Sequence, residues 1–213
     1  MQAALLSGFF AREQRFFLTG GGALAGYYFG HRTTEDIDLF TPPGPELEEA
    51  TRAMREAASE AGATLEPQRT FPEFRRLLAR RGDETCIVDL VIDRAPVIDE
   101  DKPVRDGVRI DSLREIAANK LCAVIGRAEI KDLVDLEVLL RHGIDLRGAV
   151  LDAETKDAGA DPATIAWVVS QIKIGPGALL PGSTDPAALE RFRAELVDRL
   201  QALAFERTGR TQD

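Results

Sequence analysis

The chain has 213 residues, 44% hydrophobic and 30% charged, with a formal net charge of −9. This is globular composition; it excludes disordered, collagen-like and low-complexity architectures, and the length is enough to bury roughly 70% of the surface of the unfolded chain without disulfides or a structural metal. The acidic balance argues against a protein that coats nucleic acid non-specifically, but Arg69, Arg75, Arg76, Arg80 and Arg81 fall within thirteen residues and allow a local basic groove.

In chain order, residues 3–15 read as a short helix with Leu6, Phe9 and Phe10 inward. Arg15 to Thr19 is a short strand, Gly20–Gly21–Gly22 a tight turn, and Ala23 to Phe29 a helix. Asp36 to Phe40 is a strand stopped by Thr41–Pro42–Pro43–Gly44. Glu46 to Ala61 is a helix, acidic in its first turn as the helix dipole prefers. Thr64–Gln68, Phe74–Arg80 and Thr85–Asp93 are strands, the last two separated by an Arg81–Gly82–Asp83 turn, and Val108–Ile110 is one more short strand. After Asp111 the pattern turns helical: Leu113–Ile125, Ile130–Arg141, Pro162–Ile172 and Pro186–Phe205, the last two divided by Gly175–Pro176–Gly177 and Leu180–Pro181–Gly182. The fold class expected is α+β, a mixed β-sheet core with flanking helices over residues 1–110, followed by a C-terminal helical lobe over 111–213.

Cys86 and Cys122 sit in apolar stretches, with no CxxC or Cys/His cluster, and read as reduced core residues. The two histidines, His31 and His142, are too far apart for zinc-ligand spacing. No apolar run approaches ~18 residues, so no membrane-spanning helix is expected. Arg12, Glu13 and Arg15 interrupt the apolar N-terminal run, so no secretory signal is expected and the cytoplasm is the default location.

The most informative stretch is Asp36-Ile-Asp-Leu-Phe. Side chains alternate faces along a strand, so Asp36 and Asp38 stand together, roughly 7 Å apart, while Ile37 and Leu39 face the core. Like charges so placed repel unless a cation lies between them. Mg²⁺ prefers carboxylate oxygens and keeps positions open for water and phosphate, so the pair reads as a divalent-cation site for phosphoryl or nucleotidyl transfer. Otherwise it is a strand with one solvated face. Gly20, Gly21 and Gly22 strengthen the first reading, because glycines let backbone N–H groups approach an anion at a helix start. The spacing is neither a Walker A loop nor a Rossmann fingerprint. Asp89, in mid-strand among Ile87, Val88, Leu90 and Val91, is costly unless ligated or paired; it is a candidate metal or base residue, or a hydrogen-bonded acid at a sheet edge.

Lys120 lies four residues from Ile116 and Val124 and seven from Leu113, on the apolar stripe of its helix. A buried ammonium needs an anion: either a triphosphate or a core acid. Asp132, on the next helix, is placed to pair with Lys120, to join a metal shell or to activate a hydroxyl; otherwise it makes an interhelical ion pair. Asp135 is its neighbour. Arg127, in the connecting turn, binds phosphate or caps the first helix.

Together, Leu18-Thr-Gly-Gly-Gly-Ala-Leu24, Arg32-Thr-x-x-Asp-Ile-Asp-Leu39, Val88-Asp-Leu90, Leu113-Arg-Glu-Ile-Ala-Ala-Asn-Lys120 and Lys131-Asp-Leu-Val-Asp-Leu136 resemble the AbiEii/AbiGii-type nucleotidyltransferase toxins of the DNA polymerase β-like superfamily. The likeness spans about residues 16–142. It implies Mg²⁺-dependent transfer of a nucleotide from an NTP to an acceptor hydroxyl, which in such toxins can be the tRNA 3′ end, and it implies a cognate antitoxin protein as partner. By position it assigns Gly20 and Gly21 to the glycine motif, Asp36 and Asp38 to the metal pair, and Lys120 and Asp132 to the later motifs. Gly22 stands where many relatives carry Ser or Thr. In the expected site Asp36 and Asp38, with Asp89, hold two Mg²⁺; Gly20–Gly22, Lys120 and Arg127 bind the nucleotide; Asp132 orients Lys120 or helps remove the proton. The Arg69–Arg81 segment is a candidate RNA contact, or simply a charged strand face. The alternatives are a non-catalytic nucleotide-sensing or partner-binding protein of this fold, or a transferase acting on a small molecule or a protein.

Overall fold

Leu5, Leu6, Phe9 and Phe10 form one apolar flank of the N-terminal segment, and it folds as α1 (Gln2–Phe10). The computed structural model describes residues 1–175, 180–182 and 184–210. Two compact units are formed: residues 1–95 with 99–112, and residues 96–98 with 113 onward.

In the first unit α1 ends sooner than expected, because the chain turns back at Arg12 and Glu13, whose amides reach Phe9 O. Next come β1 (Phe17–Leu18), α2 (Gly20–Ala23) and a π-helical turn over Leu24–Phe29 that Gly30 terminates in the left-handed region. So the glycines do not precede the helix; they are its first turn. They are followed by β2 (Asp36–Thr41), α3 (Leu47–Glu60), β3 (Thr64–Phe71), β4 (Phe74–Arg81), β5 (Glu84–Ile92) and a small ribbon of β6 (Val104–Arg105) and β7 (Val108–Arg109). The sheet order is β1-β2-β5-β4-β3, with β2 and β5 parallel and the other pairs antiparallel.

Period-2 patterning sets which way each strand faces. Ile37, Leu39, Val88, Leu90, Leu77 and Ala79 are buried, and this side meets the apolar face of α3, built from Leu47, Ala50, Ala53, Met54, Ala57 and Ala58. The opposite side carries Asp36, Asp38 and Phe40 half-buried. A one-residue slip would bury both carboxylates and expose Ile37 and Leu39, so the hydrophobic pattern itself holds the acids outward. Strand β3 runs three residues beyond Gln68, with a register shift between Pro67 and Arg69.

The second unit is helical: α4 (Leu113–Arg127), α5 (Ile130–Arg141), α6 (Leu146–Lys156), α7 (Pro162–Gln171) and α8 (Pro186–Arg210). Helix α6 was not foreseen. Its start signal is Asp145, whose carboxylate accepts from Gly148 N at 2.7 Å. Helix α7 opens on the same device, Asp161 accepting from Ala163 and Thr164, with Pro162 in the first turn. Helix α4 packs against α5, α6 and α7, and α7 against α8. Of the predicted breaks between α7 and α8, Pro176 and Gly177 lie outside the described residues, whereas Leu180–Gly182 is non-helical. Among the described residues no helix is long and apolar enough to cross a membrane. Both cysteines are free; Cys86 is buried, and that burial pushes its thiol up to about 11, so it stays protonated and inert near neutrality.

Candidate functional site

Asp36 and Asp38 project from the half-buried side of β2, with Asp38 directly opposite Asp89 of β5 in the parallel register. Backbone pairing brings the glycine turn to the same place: Thr19 N donates to Asp38 O at 2.9 Å. Gly20 has φ +61, and a β-carbon there would lie 2.9 Å from Asp38 Oδ2. Only glycine satisfies both constraints without strain or displacement of the acid. Gly22 is fixed by packing, since a β-carbon would sit 3.1 Å from Leu18 Cδ1 and 3.5 Å from Asp36 O. Arg32 brings its guanidinium alongside Gly21. Gly20→Ala is expected to cost about 1–2 kcal/mol through the left-handed backbone alone and to push Asp38 aside, measured by urea unfolding of the purified variant.

Asp89 is buried, yet it does not lie at a sheet edge, because β5 is an inner strand. Its cost is met by Arg76, opposite it on β4: Nε reaches Oδ1 at 2.9 Å and Nη2 reaches Oδ2 at 2.7 Å. This is a bidentate, charge-assisted pair. Hydrogen bonding to Asp89 raises the Arg76 pKa against the opposing effect of burial, and the charges of Asp89, Asp36 and Asp38 raise it further. In this arrangement Asp89 anchors Arg76 through one hydrogen bond on each oxygen, and each oxygen retains a second lone pair. Among the described residues no group of three acid, histidine or cysteine side chains is already gathered as a metal centre. Asp36 and Asp38 nonetheless fit Mg²⁺ in kind: two hard oxygen donors at alternate positions of one strand, on a half-exposed face.

A buried polar relay supports the glycine turn from behind. Asp111 accepts from Thr19 Oγ1 and from Lys102 Nζ, each at 2.7 Å, and Lys102 lies over the Phe17 ring. Nothing in the sequence pattern pointed to Lys102, since loop lysines are usually solvated; it is only 8% exposed.

In the helical unit, Lys120, Asp132, Asp135 and Arg127 form a single cluster. Lys120 Nζ is 2.9 Å from Asp132 Oδ1 and 2.6 Å from Asp135 Oδ2. Arg127 donates Nε to Asp132 Oδ2 and Nη2 to Oδ1, both at 2.7 Å. Both carboxylates are fully buried and Lys120 nearly so. Asp132 and Asp135 share one side of α5 at i, i+3 spacing, and Asp132 lies in its first turn, where the helix dipole favours an acid. Lys120 thus finds two core acids within its own unit. Arg127 is the last residue of α4, and its guanidinium bonds to Asp132.

Burial alone would raise the Asp132 pKa, but hydrogen bonds from Arg127, the charge of Lys120 and its hydrogen bond outweigh it, and the carboxyl titrates below its ordinary 3.8. A depressed folded-state value stabilises the fold above the unfolded value, and that contribution is lost as pH falls through the folded one. The helical unit is therefore expected to hold its cooperative unfolding transition down to about pH 4 and to weaken progressively below that. Urea midpoints at successively lower pH measure this.

Of the sequence-derived site residues, the first unit brings together Gly20, Gly21, Gly22, Asp36, Asp38 and Asp89, and the second brings together Lys120, Arg127, Asp132 and Asp135. Arg76 was missed as a specific residue. It could have been found only from the β4–β5 register, which the sequence does not state.

Among solved structures the chain is similar to JHP933 from Helicobacter pylori, at 20% identity over 99% of this chain and 93% of that one, with a TM-score of 0.61. It is also similar to MenT4, a nucleotidyltransferase toxin from Mycobacterium tuberculosis, at 17% identity over 93% of this chain and 80% of that one, with a TM-score of 0.63. At these identities the likeness concerns the fold, and the fold is that of nucleotidyltransferases. No curated protein matches the sequence. The nucleotidyl transferase AbiEii toxin family of type IV toxin–antitoxin systems matches over residues 4–212, bearing out the resemblance read from the motifs, and the chain belongs to that family.

Proposed function

We propose that this chain transfers a nucleoside monophosphate from an NTP to an acceptor hydroxyl, with a polynucleotide 3′ end such as that of tRNA as acceptor, and that it acts in the cytoplasm as the toxin of a pair with a cognate antitoxin. The observation that carries the reading is the half-exposed Asp36/Asp38 pair with Gly20 packed against Asp38. Two like charges are kept on one face where the alternation of β2 could have carried neutral residues at no cost to the core.

Asp36 and Asp38 would hold Mg²⁺. When bound, the ion neutralises triphosphate charge and makes an acceptor hydroxyl easier to deprotonate. The chain supplies the rest. Gly20 and Gly21, lacking side chains, let Asp38 and the Arg32 guanidinium come up against the backbone of the turn, which sets an acid and a cation side by side there. Arg32, alongside Gly21, is a cation at the same turn. Arg76, held protonated by Asp89, adds fixed positive charge next to the pair. The acceptor oxygen attacks the α-phosphorus, its proton passes to a base or to water, and pyrophosphate leaves. Lys120 and Asp132 enter this proposal through the family motif, with Lys120 as a phosphate-neutralising cation and Asp132 as the group that orients it.

The test incubates the protein with Mg²⁺, each α-labelled NTP in turn and total tRNA. Label in RNA, lost on chelation and restored by Mg²⁺, is expected. Absence of labelled RNA with every NTP, together with no nucleotide-dependent thermal shift, would overturn the reading.

A further inference from the structure

We propose that the outer face of the β3–β4 hairpin is a docking surface for a single-stranded polynucleotide, laid beside the Asp36/Asp38 pair. The segment from Thr64 to Arg81 carries five arginines against two glutamates in a chain whose net charge is −9. Three of the five are engaged. Arg75 meets Glu48 and Thr51, Arg81 meets Glu84, and Arg76 meets Asp89. Arg69 and Arg80 are exposed and make no ion pair among the described residues.

The register puts these two on the side that matters. Across the sheet, Arg69 stands opposite Arg76, Arg76 opposite Asp89, and Asp89 opposite Asp38. Cross-strand partners share a face, so Arg69 lies in the row of Asp38, three strand spacings or about 14 Å away. Arg80 shares that face by alternation along β4. At the hairpin end, Phe71 stands opposite Phe74 and is 58% exposed. The two rings lie 6.4 Å apart, and the Arg76 guanidinium is 5.7 Å from the Phe74 ring.

This surface complements one class of partner. Exposed guanidinium groups attract phosphates, while an exposed ring is a platform for an unstacked base. An acidic polypeptide would use the arginines but gain little from Phe71, and a duplex presents no free base face. The occupant is therefore a single strand. Glu66 shares the face between Thr64 and Arg69, so the positive charge sits at two separate points rather than in a continuous stripe.

The proposal rests on the nucleotidyltransferase reading only for the purpose of the docked strand, and its test needs neither metal nor NTP. A short fluorescein-labelled single-stranded RNA of mixed sequence is titrated with protein in EDTA, at low and at physiological salt, with anisotropy as readout. Arg69→Gln/Arg80→Gln is expected to weaken binding by about tenfold or more and to flatten the salt dependence, and Phe71→Ala by about tenfold. Arg52→Gln, an exposed arginine on α3, is expected to bind like wild type. If wild type does not bind the RNA, if the hairpin variants bind as well as wild type, or if polyglutamate competes as strongly as unlabelled RNA, the proposal is overturned. Each of those results leaves nucleotidyl transfer to be judged by its own assay. Conversely, RNA binding that depends on the hairpin in a protein without transfer activity would support the docking surface and count against the catalytic reading alone.

Discussion

Asp38→Asn is expected to reduce nucleotidyl transfer by about a thousandfold while the protein keeps its cooperative folding transition with little change in midpoint. The magnitude follows from what a metal-bound carboxylate supplies, several kcal/mol of charge stabilisation in the transition state, at about 1.4 kcal/mol for each factor of ten. The stability expectation has a separate origin. Asp38 is half-buried on the outer side of β2, with Asp36 two residues away on the same face and Asp89 directly opposite. Removing one of three neighbouring carboxylates relieves repulsion among them, gives up the attraction of Asp38 for Arg76 and deletes no apolar contact, so the opposed changes should leave a small net effect on the fold. Single-turnover transfer and thermal unfolding, measured on the same preparation, make the comparison. Retention of activity within tenfold of wild type would remove Asp38 from the reaction. A fall in stability with a matching fall in activity would make it a structural acid.

Asp89→Asn provides the contrast. Both of its oxygens accept from Arg76. The variant leaves a guanidinium half-paired on the sheet, and removing the charge of a buried acid from a bidentate pair is costly. Asp89→Asn should therefore lower stability as well as activity. That separation of effects distinguishes the two acids although they face each other in the same ladder row.

How much of this was legible beforehand depended on whether the signal was local. The β2 pattern needed only alternation: Ile37 and Leu39 must go inward, so Asp36 and Asp38 must go outward, and the structure has them so. Helix α5 was bounded correctly from Ile130 to Arg141 because its apolar spacing is regular over its whole length. Helix α6 was missed because Asp145 had to be recognised as a cap ahead of a weakly apolar segment. The Arg76–Asp89 pair could not be read at all, since thirteen residues separate its members and only the hairpin register makes them opposite. Lys102 escaped for the same reason. Asp111 lies nine residues on, beyond the β6–β7 ribbon, and the Phe17 ring comes from the far end of the unit, so only the folded chain brings them together. Periodicity reports which face a residue takes, whereas pairing across elements is decided by the sum of many contacts.

Lys120→Met is expected to cost the helical unit about 3–5 kcal/mol, the penalty typical of removing one partner from a buried ion pair. In the buried part of the cluster Lys120 and Arg127 face Asp132 and Asp135, while the half-exposed Glu129 lies at the rim, 3.6 Å from Arg127. Methionine fills much of the lysine volume, so the loss is electrostatic rather than steric: Asp135 loses the Lys120 ammonium, and Asp132 keeps only Arg127. Restoring balance should restore stability. Lys120→Met/Asp135→Asn leaves the Arg127–Asp132 pair intact and removes one charge of each sign, so its urea midpoint is expected to recover most of the way towards wild type. This double variant also separates the two roles open to Lys120. If the lysine only holds the helical unit together, transfer activity returns with stability. If it neutralises phosphate, as the family motif implies, the refolded double variant stays inactive. A double variant no more stable than Lys120→Met would show that charge balance is not what the cluster provides, and the expected cost would then need a source in packing.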